Sequence, residues 1–383
     1  MFPELSHAQG TSAPKRIVRV LAELLALTTI GGVMLCAQAQ LGSPPGKPAG
    51  PTAAAQANCE RLYAISTPER HAEDENRIYI SKPGCYELAD SFEPKKICSF
   101  AEGGCRYPAA SELINIESFG VELDMAGQRI GSSGQVNGIS ISAPRDSSIR
   151  PDQADRPRKS NITTIRNGSI ELPKGSAGIV APLRVLRMHL VGKPTLEQMP
   201  RESTRYVFER LRIRTVDFAA IMALGAGVVI RDCTIEVDAP NALIAYGPGV
   251  VIERNRIEYR ARAPRPERYP GFAGEGPAAP LAPAAIYLRA ADDAVVRDNT
   301  IIVEPGSARD APAAAVAVVD SQRVRIEGNS IAQRPGIPLA VRVGASSAQL
   351  SGNRRPASRL EAWRGRAGEP LPDQTLGADA AVK

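Results

Sequence analysis

Histidine is nearly absent from this chain of 383 residues: there are three, His7, His71 and His189, and they are scattered. That scarcity excludes a credible Ser/His/Asp arrangement, and no Cys/His spacing of the metal-binding kind occurs. Aromatic residues make up only 4% of the chain. They are too few to interleave with basic residues as a single-strand nucleic-acid binder requires, so nucleic acid is not an expected partner. No phosphate-cradling glycine loop and no dinucleotide motif is present. Past the N-terminal region no apolar run is long enough to span a bilayer. What remains is an aliphatic chain, 43% hydrophobic, with 33 Gly and 32 Pro. Such a mixture suits short strands and many turns better than long helices.

The one long apolar run is N-terminal. Lys15, Arg16 and Arg19 precede "VLAELLALTTIGGVMLC", and "AQAQ" then offers a small-residue cleavage site after Ala39. Residues 1–39 therefore read as an export signal, with an uncleaved membrane anchor as the other reading. A lipoprotein site at Cys36 is opposed by the size of Leu35. Residues 40–58 read as a flexible leader. The expected location is periplasmic or secreted, where disulfides persist. Cys59, Cys85, Cys98 and Cys105 allow three connectivities. A Cys98–Cys105 bridge closing "CSFAEGGC" would leave Cys59 with Cys85.

The chain repeats itself. "GVVIRDCTIEVD" at residues 227–238 returns as "GVVIERNRIEYR" at residues 249–260, with the same apolar skeleton and three charges reversed. Related phrases end at Ile130, Ile170, Ile213, Ile301 and Ile331, and a fading copy lies near Asn353. Between them sit shorter apolar runs such as "AAIMALG", "NALIAYG" and "AAIYLR". Alternation sends Val228, Ile230, Ile235 and Val237 to one side and Arg231, Thr234 and Glu236 to the other. A unit this short cannot bury its own apolar face, but stacked units can. The turn position holds Gly168, Leu211, Cys233, Asn255, Asn299, Asn329 and Asn353. Stacked asparagines there can satisfy buried turn amides. Cys233 reads as a small buried filler in that column.

The V-x-I-x-x-N-x-I phrase resembles the coils of the right-handed parallel β-helix family of pectate lyases and polygalacturonases. "YISKPGCYEL" followed by "GVELDMAGQRI" resembles that family's N-terminal start. The likeness covers about residues 76–355. It implies an all-β chain, a right-handed parallel β-helix solenoid of about seven or eight coils over residues 119–355. Residues 59–118 would form a cap with disulfides, and residues 356–383 a disordered tail. The family's catalytic elements do not carry over: the sequence has no Gly-His-Gly, no Asp-Pro-His and no Arg-x-Pro-x-x-Arg.

Stacking places equivalent residues of successive units about 4.8 Å apart. Arg166, Glu209, Arg231, Glu253, Arg297 and Glu327 then form an outward ladder of alternating sign, a structural face that also fixes register. A second column reads Glu171, Arg214, Glu236, Glu258, Ile302, and puts Glu236 beside Glu258. Like charges so placed need a cation, a raised pKa or nearby arginines. Glu236, Glu258 and Asp238 are candidate Ca²⁺ ligands, and the same glutamates are candidate acid and base. Arg214, Arg256 and Arg260 are candidates to neutralise a uronate or take its C5 proton. Structural pairing of the glutamates by arginines is the alternative.

Three insertions, residues 142–160, 183–204 and 260–283, each carry a net charge of two positive units. They suit an anionic polymer, and in an exported protein an acidic polysaccharide. Val180, Met222, Leu224, Ile244, Tyr246 and Tyr287 form an outward apolar stripe. Either another segment covers it, or Tyr246 and Tyr287 line a groove and stack on sugar rings. The expected function is binding or processing of an acidic envelope polysaccharide, of lyase or epimerase type if catalytic. A non-catalytic scaffold or adhesin is the alternative.

Overall fold

A computed structural model describes residues 59–63, 77–93, 97–99, 104–106, 112–133, 136–142, 162–172, 176–181, 205–262, 283–304, 313–333, 338–364 and 368–376. The export signal, the leader and almost all of the three insertions lie outside the described residues. The rest is all-β, with parallel strands in stacked sheets, an arrangement compatible with a β-helix. Among the described residues one sheet has 18 strands and a second has nine. In the nine-stranded sheet, strands from residues 59–118 (Ile78–Ile80 and Glu112–Ile116) stack in parallel on Asn137–Ile141. The expected cap therefore continues the same sheet.

The repeated phrase explains the stacking. Its two isoleucine positions flank a corner and point inward. Ile230 pairs with Ile252 in one register and Ile235 with Ile257 in the next, and all four are fully buried. Burying each such side chain contributes about 1.5–3 kcal/mol. At the corner one residue per unit takes positive φ: Asn167, Arg210, Asp232, Arg254, Asp298, Gly328 and Gly352. Asn, Asp and Gly reach this region most readily. Arg210 and Arg254 are held there by ion pairs to Glu209, Asp232 and Glu253.

The next residue turns inward and forms the expected asparagine column. Asn299 Oδ1 accepts from the backbone N–H of Asn255 at 2.9 Å and from its Nδ2 at 3.0 Å. Asn299 Nδ2 donates to the Ile252 carbonyl at 2.9 Å. Asn329 and Asn353 repeat this pattern. Cys233 donates its backbone N–H to Asn255 and is buried among these groups. Burial pushes its thiol up to about 12, so it is a filler rather than a reactive group.

From strand Ile179–Ala181 onward the nine-stranded sheet is largely apolar on both faces. Leu243 and Ile286 face the main core, while the outward stripe is also buried and forms a second cluster with Phe218 and Val341. Tyr246 and Tyr287 are 4% and 2% exposed. Their rings are tilted against each other at 6.3 Å. Burial raises both hydroxyl pKa values. The reading of these tyrosines as a sugar-stacking groove is thus corrected: the rings have no face open to a ligand.

Two further expectations meet definite findings. Cys59 and Cys85 form a disulfide, which ties strand Glu60–Leu62 to its neighbour Gly84–Leu88. Cys98 and Cys105 lie opposite each other in a short antiparallel pair. The segment after residue 355, expected to be disordered, carries structure. A short helix, Arg359–Trp363, begins at Ser358, whose side chain accepts from the Glu361 N–H. The chain then returns, and Glu369–Pro370 and Gln374–Leu376 pair antiparallel with the last strands of the long sheet. That pairing covers an otherwise open sheet edge.

Candidate functional site

Both charged columns have the expected register. In the first, Arg166, Glu209, Arg231, Glu253, Arg297 and Glu327 are successive partners. The column is not simply a solvated face. Glu209 and Glu253 are only 4% and 6% exposed, and arginines lie over them. Arg231 Nε donates to Glu209 at 2.7 Å, and Arg297 Nε to Glu253 at 2.8 Å. Burial alone would raise the Glu253 pKa, but hydrogen bonds from Arg297 and Arg254 hold it below the ordinary value. Beside this column Arg254 takes both oxygens of Asp232, at 2.8 and 3.0 Å. Of the three reversed positions, Asp232 with Arg254 and Asp238 with Arg260 are in contact, while Arg231 and Glu253 are register neighbours whose bonds go to Glu209 and to Arg297 and Arg254.

The second column is Glu171, Arg214, Glu236, Glu258, Ile302. Two residues further along the same strands lies the row Val216, Asp238, Arg260, Glu304. Alternation points both rows outward. Between them opens a cleft of about 220 Å³, lined chiefly by Arg214, Glu236, Asp238, Glu258, Arg260 and Glu304, with Arg359 at its edge. The structure thus brings together every expected polar site residue except Arg256, which reaches the cleft through Glu258.

Arginines compensate the like-charged pair, as the alternative reading held. Glu258 accepts from Arg256 at 3.2 Å and from Arg359 at 2.7 Å. Arg359 also bonds Glu304. Arg260 donates to Glu304 at 2.9 Å and lies 3.6 Å from Asp238. The Glu304 hydrogen bond raises the Arg260 pKa, so this guanidinium keeps its proton and is a poor base for a C5 hydrogen. Asp238, expected to oppose Arg260, is held mainly by Arg262 at 2.6 Å, which also reaches Asp217 at 2.9 Å. Among the described residues no three acidic, His or Cys side chains converge as metal ligands. Of the carboxylates expected to hold Ca²⁺, Glu258 and Asp238 are each bonded by two arginines and Glu236 by one.

Two side chains are left. Glu236 is one-third exposed, and its ion-pair partner among the described residues is Arg212 at 3.3 Å. Arg214 is exposed, lines the cleft, and makes no ion pair or hydrogen bond with a described residue. Its register neighbours are engaged elsewhere, Glu171 by Arg129 and Glu236 by Arg212. Sequence reasoning missed Arg212, Arg262, Glu304 and Arg359. Arg212 and Arg262 each stand two residues from a named arginine, on the same side of a strand, so alternation could have found them. Arg359 had no such signal.

Comparison of the chain with family models, with curated proteins and with solved structures returns no match.

Proposed function

We propose that this chain is an exported right-handed parallel β-helix, of about seven or eight coils, that binds an acidic polysaccharide through the cleft at Arg214. The observation that carries this reading is the unpaired guanidinium. In a wall where the neighbouring charges are matched, Arg214 is exposed and has no partner among the described residues, beside a cleft of about 220 Å³. A guanidinium with open donors suits a carboxylate, which it binds bidentately. Glu236, held by one long contact, is placed to accept from sugar hydroxyls. The disulfide and the N-terminal signal-like sequence support an oxidising, extracytoplasmic location.

If the site is catalytic, Glu236 is the base of a lyase or epimerase, because it is the least engaged carboxylate in the cleft. The test is titration of the protein with uronate polymers, beside Arg214→Ala. Salt-sensitive binding that Arg214→Ala weakens by about tenfold or more supports the reading. Retention of no uronate polymer sinks it. Appearance of an unsaturated uronate chromophore, abolished in Glu236→Gln, would add lyase chemistry.

The second reading, a non-catalytic envelope scaffold or adhesin, is favoured by the internal pairing of the first column. Such matching stiffens a rod and leaves little charge for a ligand.

A further inference from the structure

The cleft at Arg214 does not stand alone. A larger hollow of about 460 Å³ lies on the same outer face, lined by Asn167, Ser169, Arg210, Arg212, Asp232 and Thr234 around two glycines. The two meet on strand Arg205–Val216, where Arg212 borders the larger hollow and Arg214 the smaller. They also meet on Thr234–Ala239, at Thr234 and Glu236. Taken together, the two neighbouring hollows span the levels from Gly127, next to strand Arg129–Gly131, to Glu304 on strand Thr300–Glu304. That is five inter-strand steps, about 24 Å. It is long enough for several sugar units.

Its two ends differ. The larger hollow is open, and its two arginines keep exposed donors although Arg210 also bonds Glu209 and Asn167 and Arg212 bonds Glu236. Gly127 is exposed, and the Arg210 and Arg212 side chains are 49% and 65% exposed. The one carboxylate of that hollow, Asp232, is taken up by Arg254. The smaller end is closed. After Glu258 the outward column continues with Ile302, which is 2% exposed and packed with Ala332 and Ala362. Ala362 belongs to the helix Arg359–Trp363, whose Arg359 ties Glu258 to Glu304 across adjacent strands. A chain lying in the groove would run into this helix.

We infer that the groove takes the end of an anionic saccharide chain, with the terminal unit at Arg214 and Glu236. The following acidic units lie over Arg212 and Arg210. The inference rests on the reading of Arg214 as a carboxylate site and adds chain-end selection to it. The arginines are spaced for a repeating anion: Arg212 and Arg214 are alternate residues of one strand, about 7 Å apart. The helix supplies the stop.

The test uses the full chain and galacturonate, mannuronate and glucuronate oligomers of one to six units, with the matching polymers. At equal mass of uronate, the number of binding sites should rise in proportion to chain ends as the polymer is shortened. The loss caused by Arg212→Ala should grow with length, exceeding the single-unit loss about tenfold for four units. Arg359→Ala, checked for folding by circular dichroism, should unlock the closed end and let polymer bind in proportion to mass. Wild-type sites that scale with mass and not with ends overturn end selection while leaving the Arg214 reading intact. An Arg212→Ala loss independent of length overturns the second subsite. Failure of every length to bind overturns both readings.

Discussion

Two columns of charge stand side by side on the long sheet, and the chain has treated them differently. In the column through Glu209, Arg231, Glu253 and Arg297, each acid finds its arginine one strand away, and the acids sink below the surface. In the column through Arg214, Glu236 and Glu258, Arg214 stands beside Glu236 without bonding it, and Glu236 stands beside a second glutamate. Matching comes from outside the column: from Arg212 and Arg256 two residues away, and from Arg359, 101 residues downstream. The first column is self-contained, and any change to it is a change in stability. The second is patched, and the patching leaves Arg214 without a partner among the described residues. Regularity marks where the fold is held, and the break in regularity marks where the proposed ligand would sit.

The comparison can be broken most severely with Arg231→Glu. That change would put three carboxylates on consecutive strands, two of them buried, and should cost about 3–5 kcal/mol in urea unfolding at neutral pH. The deficit should shrink on acidification, because crowded acids have raised folded pKa values and protonation relieves them. An unchanged midpoint would show that the column contributes nothing. Next comes Asn299→Ala, which removes an acceptor for two buried donors and should cost about 2–4 kcal/mol by the same measurement. It sets the inner scale against which both outer columns are read.

A smaller effect is the pH dependence of the wild type. The folded pKa values of Glu253 and Asp232 lie below their ordinary values, for Asp232 chiefly through its hydrogen bond from Arg254. Depressed carboxyl pKa values give stability that is fully present above the unfolded value near 4.5 and 3.8 respectively. It is lost as pH falls through the folded values. The melting temperature should therefore be level above about pH 5 and drop below about pH 4, less steeply in Arg297→Gln. The smallest effect belongs to the second column. Glu258→Gln should change stability by less than about 1 kcal/mol, since loss of two arginine contacts is offset by relief of the Glu236 repulsion. A loss as large as that of Arg231→Glu would erase the distinction between the columns.

The parallel strands were legible because the two isoleucine positions and the turn asparagine recur at fixed intervals, and packing admits few other uses for such a phrase. The sign of each rung in the first column followed from the same alignment. So did the meeting of Glu236 with Glu258, since side-chain alternation and one-strand spacing were enough to place them. What was not legible depends on segments outside the repeat. Arg359 reaches Glu258 only because the chain turns back after residue 355. The sequence does carry a helix-start signal there, Ser358 followed by Glu361, but nothing in it fixes where so short a helix docks. The fate of Tyr246 and Tyr287 was likewise open. Alternation placed them outward, and burial depends on what lies over the sheet.

The alternating rungs also impose a parity. Neighbouring units in the middle of the stack are 22 residues apart, and sign reverses at each step. Removing one unit, residues 227–248, would set Glu209 directly against Glu253, two buried acids with one arginine withdrawn. Removing two adjacent units would keep every rung opposed to its complement. Lengthening or shortening of this molecule, by duplication in a genome or by design, is therefore favoured in even numbers of units.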